Sequence, residues 1–136
     1  MGKVLAIDFG LKRTGLALSD ESQIFAFGHG TVESRHLLSE LKTLIAREKV
    51  SQIVLGLPKR MNLEDSHITE NVHLLKEKLI QEFHLPVELY DERFTSKMAS
   101  QAIELSGASR KKRQDKALVD EVSATIILQS YLASKG

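Results

Sequence analysis

Two carboxylates stand where predicted apolar strands end. Asp8 closes the run "VLAID" near the N-terminus, and Glu92 follows Asp91 directly after the run "VELY". A carboxylate at the end of a buried strand is costly unless it is paired or bound to a metal. Local capping is the alternative, in which Asp8 caps the turn after it and Asp91 caps a following helix.

A third carboxylate, Asp120, lies on the apolar face of a predicted C-terminal helix. At about 100° per residue it is in line with four residues of that face, namely Ala117, Ala124, Ile127 and Tyr131. Its neighbour Glu121 is rotated away from this line. The alternative is an acidic residue that only complements the dipole at the start of the helix.

The three acids can meet, because α/β sheets collect ligands where their parallel strands end. Converging carboxylates repel one another unless a cation compensates their charge. The chain has no cysteine, and oxygen ligands favour a hard cation, so we expect Mg²⁺ or Mn²⁺. Two such ions can activate water and stabilise the leaving oxygen of a phosphodiester without a protein nucleophile.

Alternating strands and helices are predicted to position these acids. Apolar runs predict strands over 3–8, 14–19, 23–32, 52–58 and 85–95, and helical spacing predicts helices over 33–49, 65–83, 96–105 and 116–134. Asp65 or Ser66 is expected to cap the second helix, and Gly28 and Gly30 to mark a bulge or a close approach of the backbone. The order βββαβαβα with a final helix predicts one α/β domain over 1–136, a mixed sheet with helices on both faces.

Composition excludes several classes of protein. With 136 residues, of which 42% are hydrophobic and 27% charged, the chain has the profile of an ordinary globular domain. The absence of cysteine excludes disulfides and fits a reducing compartment. No apolar run reaches the roughly 20 residues of a membrane helix, and the N-terminal run is too short for a signal peptide. We therefore expect a cytoplasmic protein without a membrane partner. The five histidines lack metal-ligand spacing and are expected on the surface or in loops.

Basic residues near the acidic positions are candidate nucleic-acid contacts. Lys and Arg side chains bind phosphates without sequence preference. The candidates lie at the first hairpin, after the fourth strand, beside Glu92 and before the last helix; they are Lys12, Arg13, Lys59, Arg60, Arg93, Arg110, Lys111, Lys112 and Arg113. The alternative for the cluster 110–113 is a solvated run of charge.

Four motifs in this order resemble the YqgF family, also called RuvX. They are "AIDFGLKRTGLA", "IVLGLP", "YDERFTS" and "VDEVSATIILQSYL", and the resemblance covers nearly the whole chain. It implies a ribonuclease H-like fold akin to that of the RuvC Holliday-junction resolvase. It also implies a metal-dependent nuclease that processes the 5′ end of precursor 16S ribosomal RNA in the bacterial cytoplasm. Asp8, Glu92 and Asp120 are then the catalytic and metal-binding acids, with Asp91 as a reserve ligand.

One loop departs from the family pattern. After "GLP" the family has a segment similar to "LNMDG" followed by another glycine, whereas this chain reads "KRMNLEDSH" from Lys59 to His67. The resemblance therefore carries over no function for this loop, although Lys59, Arg60 and Asn62 still fit phosphate contacts.

Three other functions fit parts of the sequence. Actin-like and Hsp70-like ATPases and sugar kinases open with a similar strand, Asp and Gly, but they need two such domains and more than twice this length. A nucleic-acid-binding module without turnover would not require all three acids. A resolvase acting on four-way DNA junctions would usually be a dimer. The substrate (precursor rRNA or branched DNA) and the state (monomer or homodimer) stay open at this point.

Overall fold

A computed structural model describes residues 2–57, 63–91 and 116–135. The strands are β1 (Lys3–Asp8), β2 (Arg13–Ser19), β3 (Ala26–Glu33), β4 (Val50–Leu57) and β5 (Val87–Asp91). The helices are α1 (Leu37–Glu48), which follows a 3-10 turn (Ser34–His36), α2 (Leu63–Phe83) and α3 (Lys116–Lys135). This is the predicted order over the described residues; the predicted helix over 96–105 lies outside them.

Several predicted boundaries are wrong. β3 begins at Ala26 rather than at residue 23, because Gln23 has a φ of 58° and belongs to a turn closed by its N–H bond to the Asp20 carbonyl at 3.1 Å. β4 begins at Val50, two residues before its predicted start at residue 52. α2 begins at Leu63, so Asp65 and Ser66 lie inside its first turn and neither is the N-cap.

The five strands form one mixed sheet in the order β3-β2-β1-β4-β5. β1, β2 and β3 are an antiparallel meander, and β4 and β5 add in parallel beside β1. β1 is central because its residues 4–7 are apolar and can be covered on both faces. The pairing of β2 with β3 slips where His29 and Gly30 have no partner, and Gly30 has a φ of 84°. This is the bulge predicted from the two glycines.

Helices cover both faces of the sheet, as predicted. Leu5, Ile7, Leu16, Ile53 and Leu55 face α1 and α2, and their cluster includes the helix residues Leu37, Leu41, Leu44, Val72 and Leu79. On the other face, Val4, Ala6, Ala17 and Val54 pack against α3, through Ala124, Ile127, Leu128, Tyr131 and Leu132.

Among the described residues, no helix combines the length and the apolar character needed to cross a membrane.

Candidate active site

The parallel strands β1, β4 and β5 bring their carboxyl ends to one edge of the sheet, here called the site edge. Ile7, Leu55 and Leu89 lie in one row across these strands, because Ile7 pairs with Leu55 and Leu55 with Leu89. Asp8 is one residue beyond this row on β1, and Asp91 is two residues beyond it on β5. The two strands are two spacings apart, or about 10 Å.

Asp8 is the described acid at the centre of this edge. It ends a strand whose residues 4–7 are buried, and it is itself partly buried. Its Cα pairs with that of Gly15 on β2. Side chains alternate along a strand, so Asp8 shares the face of Val4 and Ala6, which is the face covered by α3. The central strand therefore delivers a carboxylate to the site edge, on the side of the last helix.

The hairpin between β1 and β2 places two predicted nucleic-acid contacts at the same edge. Lys12 is exposed, and Arg13, the first residue of β2, is partly buried. Gly10 is required by the turn itself, since a Cβ there would lie 2.4 Å from the Arg13 carbonyl oxygen. The geometry of the turn alone is therefore sufficient reason for a glycine at this position.

Ser34, in the 3-10 turn after β3, is bonded to this hairpin at several atoms. Its N–H donates to the Lys12 carbonyl at 2.9 Å. Its hydroxyl donates to the Gly10 carbonyl and also contacts the Thr14 hydroxyl, with 2.8 Å between the oxygens. The tip that carries Lys12 is thus held from the side by the segment that leads into α1.

Asp120 lies in the first turns of α3, four residues before the buried Ala124. The predicted apolar stripe of this helix is confirmed where its side chains are described, since Ala124, Ile127 and Tyr131 are all buried. At the other end of the helix, the Tyr131 hydroxyl donates to Glu88 at 2.6 Å and accepts from the Gln52 side-chain amide. Gln52 and Glu88 lie near the starts of β4 and β5, opposite the site edge.

The remaining predicted site residues lie outside the described part of the chain. They are Glu92, Lys59, Arg60, Arg93, Arg110, Lys111, Lys112 and Arg113, together with the loop 59–62. Within residues 2–57, 63–91 and 116–135, no three His, Cys, Asp or Glu residues are grouped as metal ligands. The convergence of the three acids stays a prediction.

The prediction that the histidines lie on the surface or in loops is confirmed for those whose side chains are described. His29, His36, His73 and His84 are all exposed. His67 lies in α2, but its side chain is outside the description.

Carboxylates away from Asp8 have evident local roles. The Arg35 guanidinium donates to Glu33 at 2.7 Å and lowers the pKa of that carboxyl. At the opposite edge, Lys3 and then Arg47 lower the pKa of Glu48. A cavity of about 420 Å³ at that edge is lined by Lys3, Asp20, Glu48 and neighbouring residues. Asp8 does not line this cavity, so the cavity is separate from the candidate active site.

The sequence argument missed Ser34 and Thr14. Thr14 is fully buried beside the apolar run of Leu16, Ala17 and Leu18 in β2, and a polar residue next to such a run was the one signal in the sequence. Ser34 is 24 residues from Gly10 and 20 from Thr14, so no local spacing could have linked it to the hairpin.

Comparison with known proteins agrees with this architecture. The sequence model of the RuvX family, described as "Holliday junction resolvase", matches residues 2–134. A protein of Porphyromonas gingivalis named "Putative pre-16S rRNA nuclease" is 51% identical over 133 residues, covering 97% of this chain and 96% of that protein. A protein of Bacteroides thetaiotaomicron with the same name is 48% identical over 136 residues, covering 99% of each.

Solved structures show the same fold at low sequence identity. The chain of "T. thermophilus RuvC in complex with Holliday junction substrate" matches with a TM-score of 0.64 and 13% identity, covering 99% of this chain and 96% of that one. A second chain, "Thermus thermophilus RuvC structure", matches with a TM-score of 0.51 and 13% identity, covering 96% of each. The chain has the ribonuclease H-like fold of RuvC, and it belongs to the RuvX family.

Proposed function

We propose that this chain is a divalent-metal-dependent nuclease that hydrolyses phosphodiester bonds at the 5′ end of precursor 16S ribosomal RNA. The single observation that carries the proposal is Asp8, a carboxylate at the end of the buried central strand, at the edge where three parallel strands finish. Relatives about half identical over nearly the whole chain bear the corresponding name. We place the activity in one domain over 1–136, in the cytoplasm.

Asp8, Glu92 and Asp120 are proposed as the catalytic metal ligands, and strand alternation supports Glu92 over Asp91. Tyr90 packs on the α3 face, as do Val4 and Ala6. Asp8 is two residues after Ala6 along β1, and position 92 is two residues after Tyr90 in the sequence, so the alternation continued by one residue past the end of β5 at Asp91 assigns Glu92 to the Asp8 face. Position 91 has the opposite parity, that of Leu89. Asp91 therefore stays the reserve ligand.

The placement of α3 supports Asp120 as the third ligand. Tyr131 is bonded near the starts of β4 and β5, at the edge opposite Asp8. Eleven residues of helix separate Tyr131 from Asp120, a rise of about 16 Å. The part of β4 from Gln52 to Leu57 has nearly the same length, about 17 Å. The helix is therefore long enough to reach the site edge from this bond, although it lies mainly over β1, β2 and β3 rather than along β4.

Carboxylate oxygens suit a hard divalent cation, and we propose Mg²⁺ or Mn²⁺. When bound, such ions supply an activated water and stabilise charge on the phosphodiester oxygens. The chain itself contributes the acids and a basic rim that holds the backbone of the RNA. Lys12 and Arg13 are the described members of this rim; the others proposed are Lys59, Arg60, Arg93, Arg110, Lys111, Lys112 and Arg113.

A four-way DNA junction is the second candidate substrate. The description of the family model and the fold shared with RuvC favour it. A resolvase cuts two strands of one junction and would work as a dimer with paired sites. Substrate choice and oligomeric state therefore go together, and both can be measured on the purified chain.

The deciding experiment compares Asp8→Asn with the unchanged chain on both substrates. A precursor 16S rRNA fragment and a synthetic four-way junction are each incubated with Mg²⁺ or Mn²⁺, and with EDTA as the metal-free control. Glu21→Gln is the matched variant, because it removes one exposed carboxylate at the edge opposite the site. We expect metal-dependent RNA cleavage that Glu21→Gln keeps and Asp8→Asn loses. The thermal midpoint of Asp8→Asn should be equal or higher, since repulsion among the acids is relieved.

Four outcomes would overturn the proposal. Cleavage of the junction alone would assign the chain to the resolvases. Equal cleavage by Asp8→Asn would remove Asp8 from the site. Unfolding of Asp8→Asn, or no cleavage of either substrate by the unchanged chain, would leave Asp8 as a structural cap or the chain as a binding module.

A further inference from the structure

We propose that Ser34 is a positioning residue that fixes the β1–β2 tip, so that Lys12 meets the phosphate backbone of the bound nucleic acid. The inference rests on the proposed function, because it assigns a second residue to the same site. Ser34 does not touch the substrate in this account. It acts through the main chain of the hairpin, and it carries no charge of its own to offer a phosphate.

The contacts of Ser34 converge from both sides of the tip. Its N–H bonds to the carbonyl of Lys12 on the β2 side at 2.9 Å. Its hydroxyl donates to the carbonyl of Gly10 on the β1 side. The main chain on either side of Leu11 is therefore tied to one residue of another segment.

The direction of the remaining hydrogen bond follows from the chemistry of a hydroxyl. A serine hydroxyl has one hydrogen to donate, and Ser34 gives it to Gly10. The Thr14 hydroxyl must then be the donor in the 2.8 Å contact between the two side chains. Thr14 is fully buried, so its hydroxyl cannot turn to water instead. The chain from Thr14 through Ser34 to Gly10 anchors the tip to the core of the sheet.

The tip has little other means of keeping its shape. Leu11 at its centre is 55% exposed and Lys12 is exposed, so core packing does not hold either side chain. The clamp, defined as Thr14, Ser34 and the Gly10 carbonyl, supplies that order. In Ser34→Ala the N–H bond to the Lys12 carbonyl remains, but the Gly10 side of the tip is released. Lys12 is then no longer held where its ammonium meets a phosphate, so that contact is largely lost and the salt slope falls with it.

The test measures binding rather than cleavage. A labelled single-stranded RNA oligonucleotide is titrated with the chain in EDTA at several salt concentrations. The variants are Ser34→Ala, Lys12→Ala and the double variant, with Ser39→Ala as the control. Ser39 is a matched serine because it is exposed and, within the part of the chain that the structure describes, its hydroxyl bonds to the carbonyl of His36 in its own segment, at 3.0 Å. Circular dichroism at the assay temperature confirms that each variant is folded.

One lost phosphate contact lowers the salt slope of log K by about 0.7 on single strands, which is about fivefold in affinity near 0.1 M salt. We expect Lys12→Ala to show this loss, Ser34→Ala to approach it, and Ser39→Ala to bind as the unchanged chain does. The double variant should bind about as well as Lys12→Ala alone, because the two changes remove the same contact. A merely structural role of Ser34 would lower the thermal midpoint and leave the salt slope unchanged.

The possible failures are distinguishable. If Lys12→Ala weakens binding and Ser34→Ala does not, or if their losses simply add, Ser34 does not position Lys12 while the proposed interface survives. If Lys12→Ala has no effect, the tip is not part of the interface and the inference about Ser34 falls with it. The nuclease proposal is judged separately, by the cleavage assay on Asp8→Asn.

Discussion

The hydroxyl of Tyr131 ties the C-terminal half of α3 to the starts of β4 and β5, and Tyr131→Phe removes only that hydroxyl. The ring is 3% exposed and stands edge-on to Tyr90, with 6.1 Å between the centroids and 85° between the planes. Phenylalanine keeps this packing. What is lost is the bond to Glu88 at 2.6 Å and the acceptor for the Gln52 amide.

The expected decrease in the free energy of unfolding follows from those two contacts. A hydrogen bond to a charged group contributes about 1.5–3 kcal/mol when fully buried. Glu88 is exposed and can be solvated in the variant, and Gln52 already lies 3.3 Å from Glu88, so we expect only about 1–1.5 kcal/mol. The entropy of unfolding of 136 residues is about 0.29 kcal/mol per kelvin near 60 °C. Dividing the lost free energy by this entropy gives a decrease in Tm of about 3–5 °C.

The assay is thermal unfolding followed by circular dichroism, with urea denaturation as the second measure. Glu88→Gln and the double variant complete a cycle, and a coupling energy of about 0.5 kcal/mol or more is expected for groups in direct contact. Nuclease activity of the folded variant should be retained, because Tyr131 lies at the edge opposite Asp8. An unchanged Tm, or strictly additive losses, would refute the view that this cluster anchors α3.

Two further changes test the turns. Gly10→Ala places a Cβ 2.4 Å from the Arg13 carbonyl oxygen, so the tip must shift. We expect the free energy of unfolding, measured by urea denaturation, to fall by about 1–3 kcal/mol, and RNA binding to weaken. Unchanged stability would contradict the described turn. Asp20 accepts bonds from the N–H groups of Ile24 and Phe25 at 2.8 and 3.0 Å, which lower its pKa from an ordinary value of 3.8. The stabilisation is therefore present above pH about 3.8 and lost as the pH falls through the lowered pKa. Asp20→Asn should lower Tm at pH 7, and the difference in Tm from the unchanged chain should shrink below pH 3.8. A difference in Tm that grows in acid would contradict this account.

The overall architecture could be predicted because its signals are local. The run over residues 4–7 is apolar at every position, which indicates a strand covered on both faces, and β1 is in fact central. The glycines at 28 and 30 indicated the bulge in β3 for a similarly local reason. The start of α2 was mistaken because "NLEDS" offers several polar residues that could each serve as a cap, and the choice among them depends on backbone geometry.

Much less of the site could be predicted. Asp8 was found because a carboxylate after four apolar residues is unusual within a strand. Ser34 was not found, since its partners Gly10 and Thr14 are distant in sequence and meet it only once β3 has paired with β2. Glu92 was found from its place after an apolar strand and the cluster over 110–113 from its run of basic residues; both lie outside the described residues, and the cleavage assay with variants at those positions is the direct test.

The central position of β1 also has a consequence for folding during synthesis on the ribosome. β2 emerges directly after β1 and can pair with one of its sides, but the parallel partner of the other side, β4, begins only at Val50. At 5–20 residues per second, the roughly 40 intervening residues take about 2–8 s to be synthesised. During that interval an apolar strand has one open hydrogen-bonding edge, which is the surface on which nascent chains aggregate. Timely elongation, or a chaperone that covers this edge, therefore protects the N-terminal meander until β4 is available.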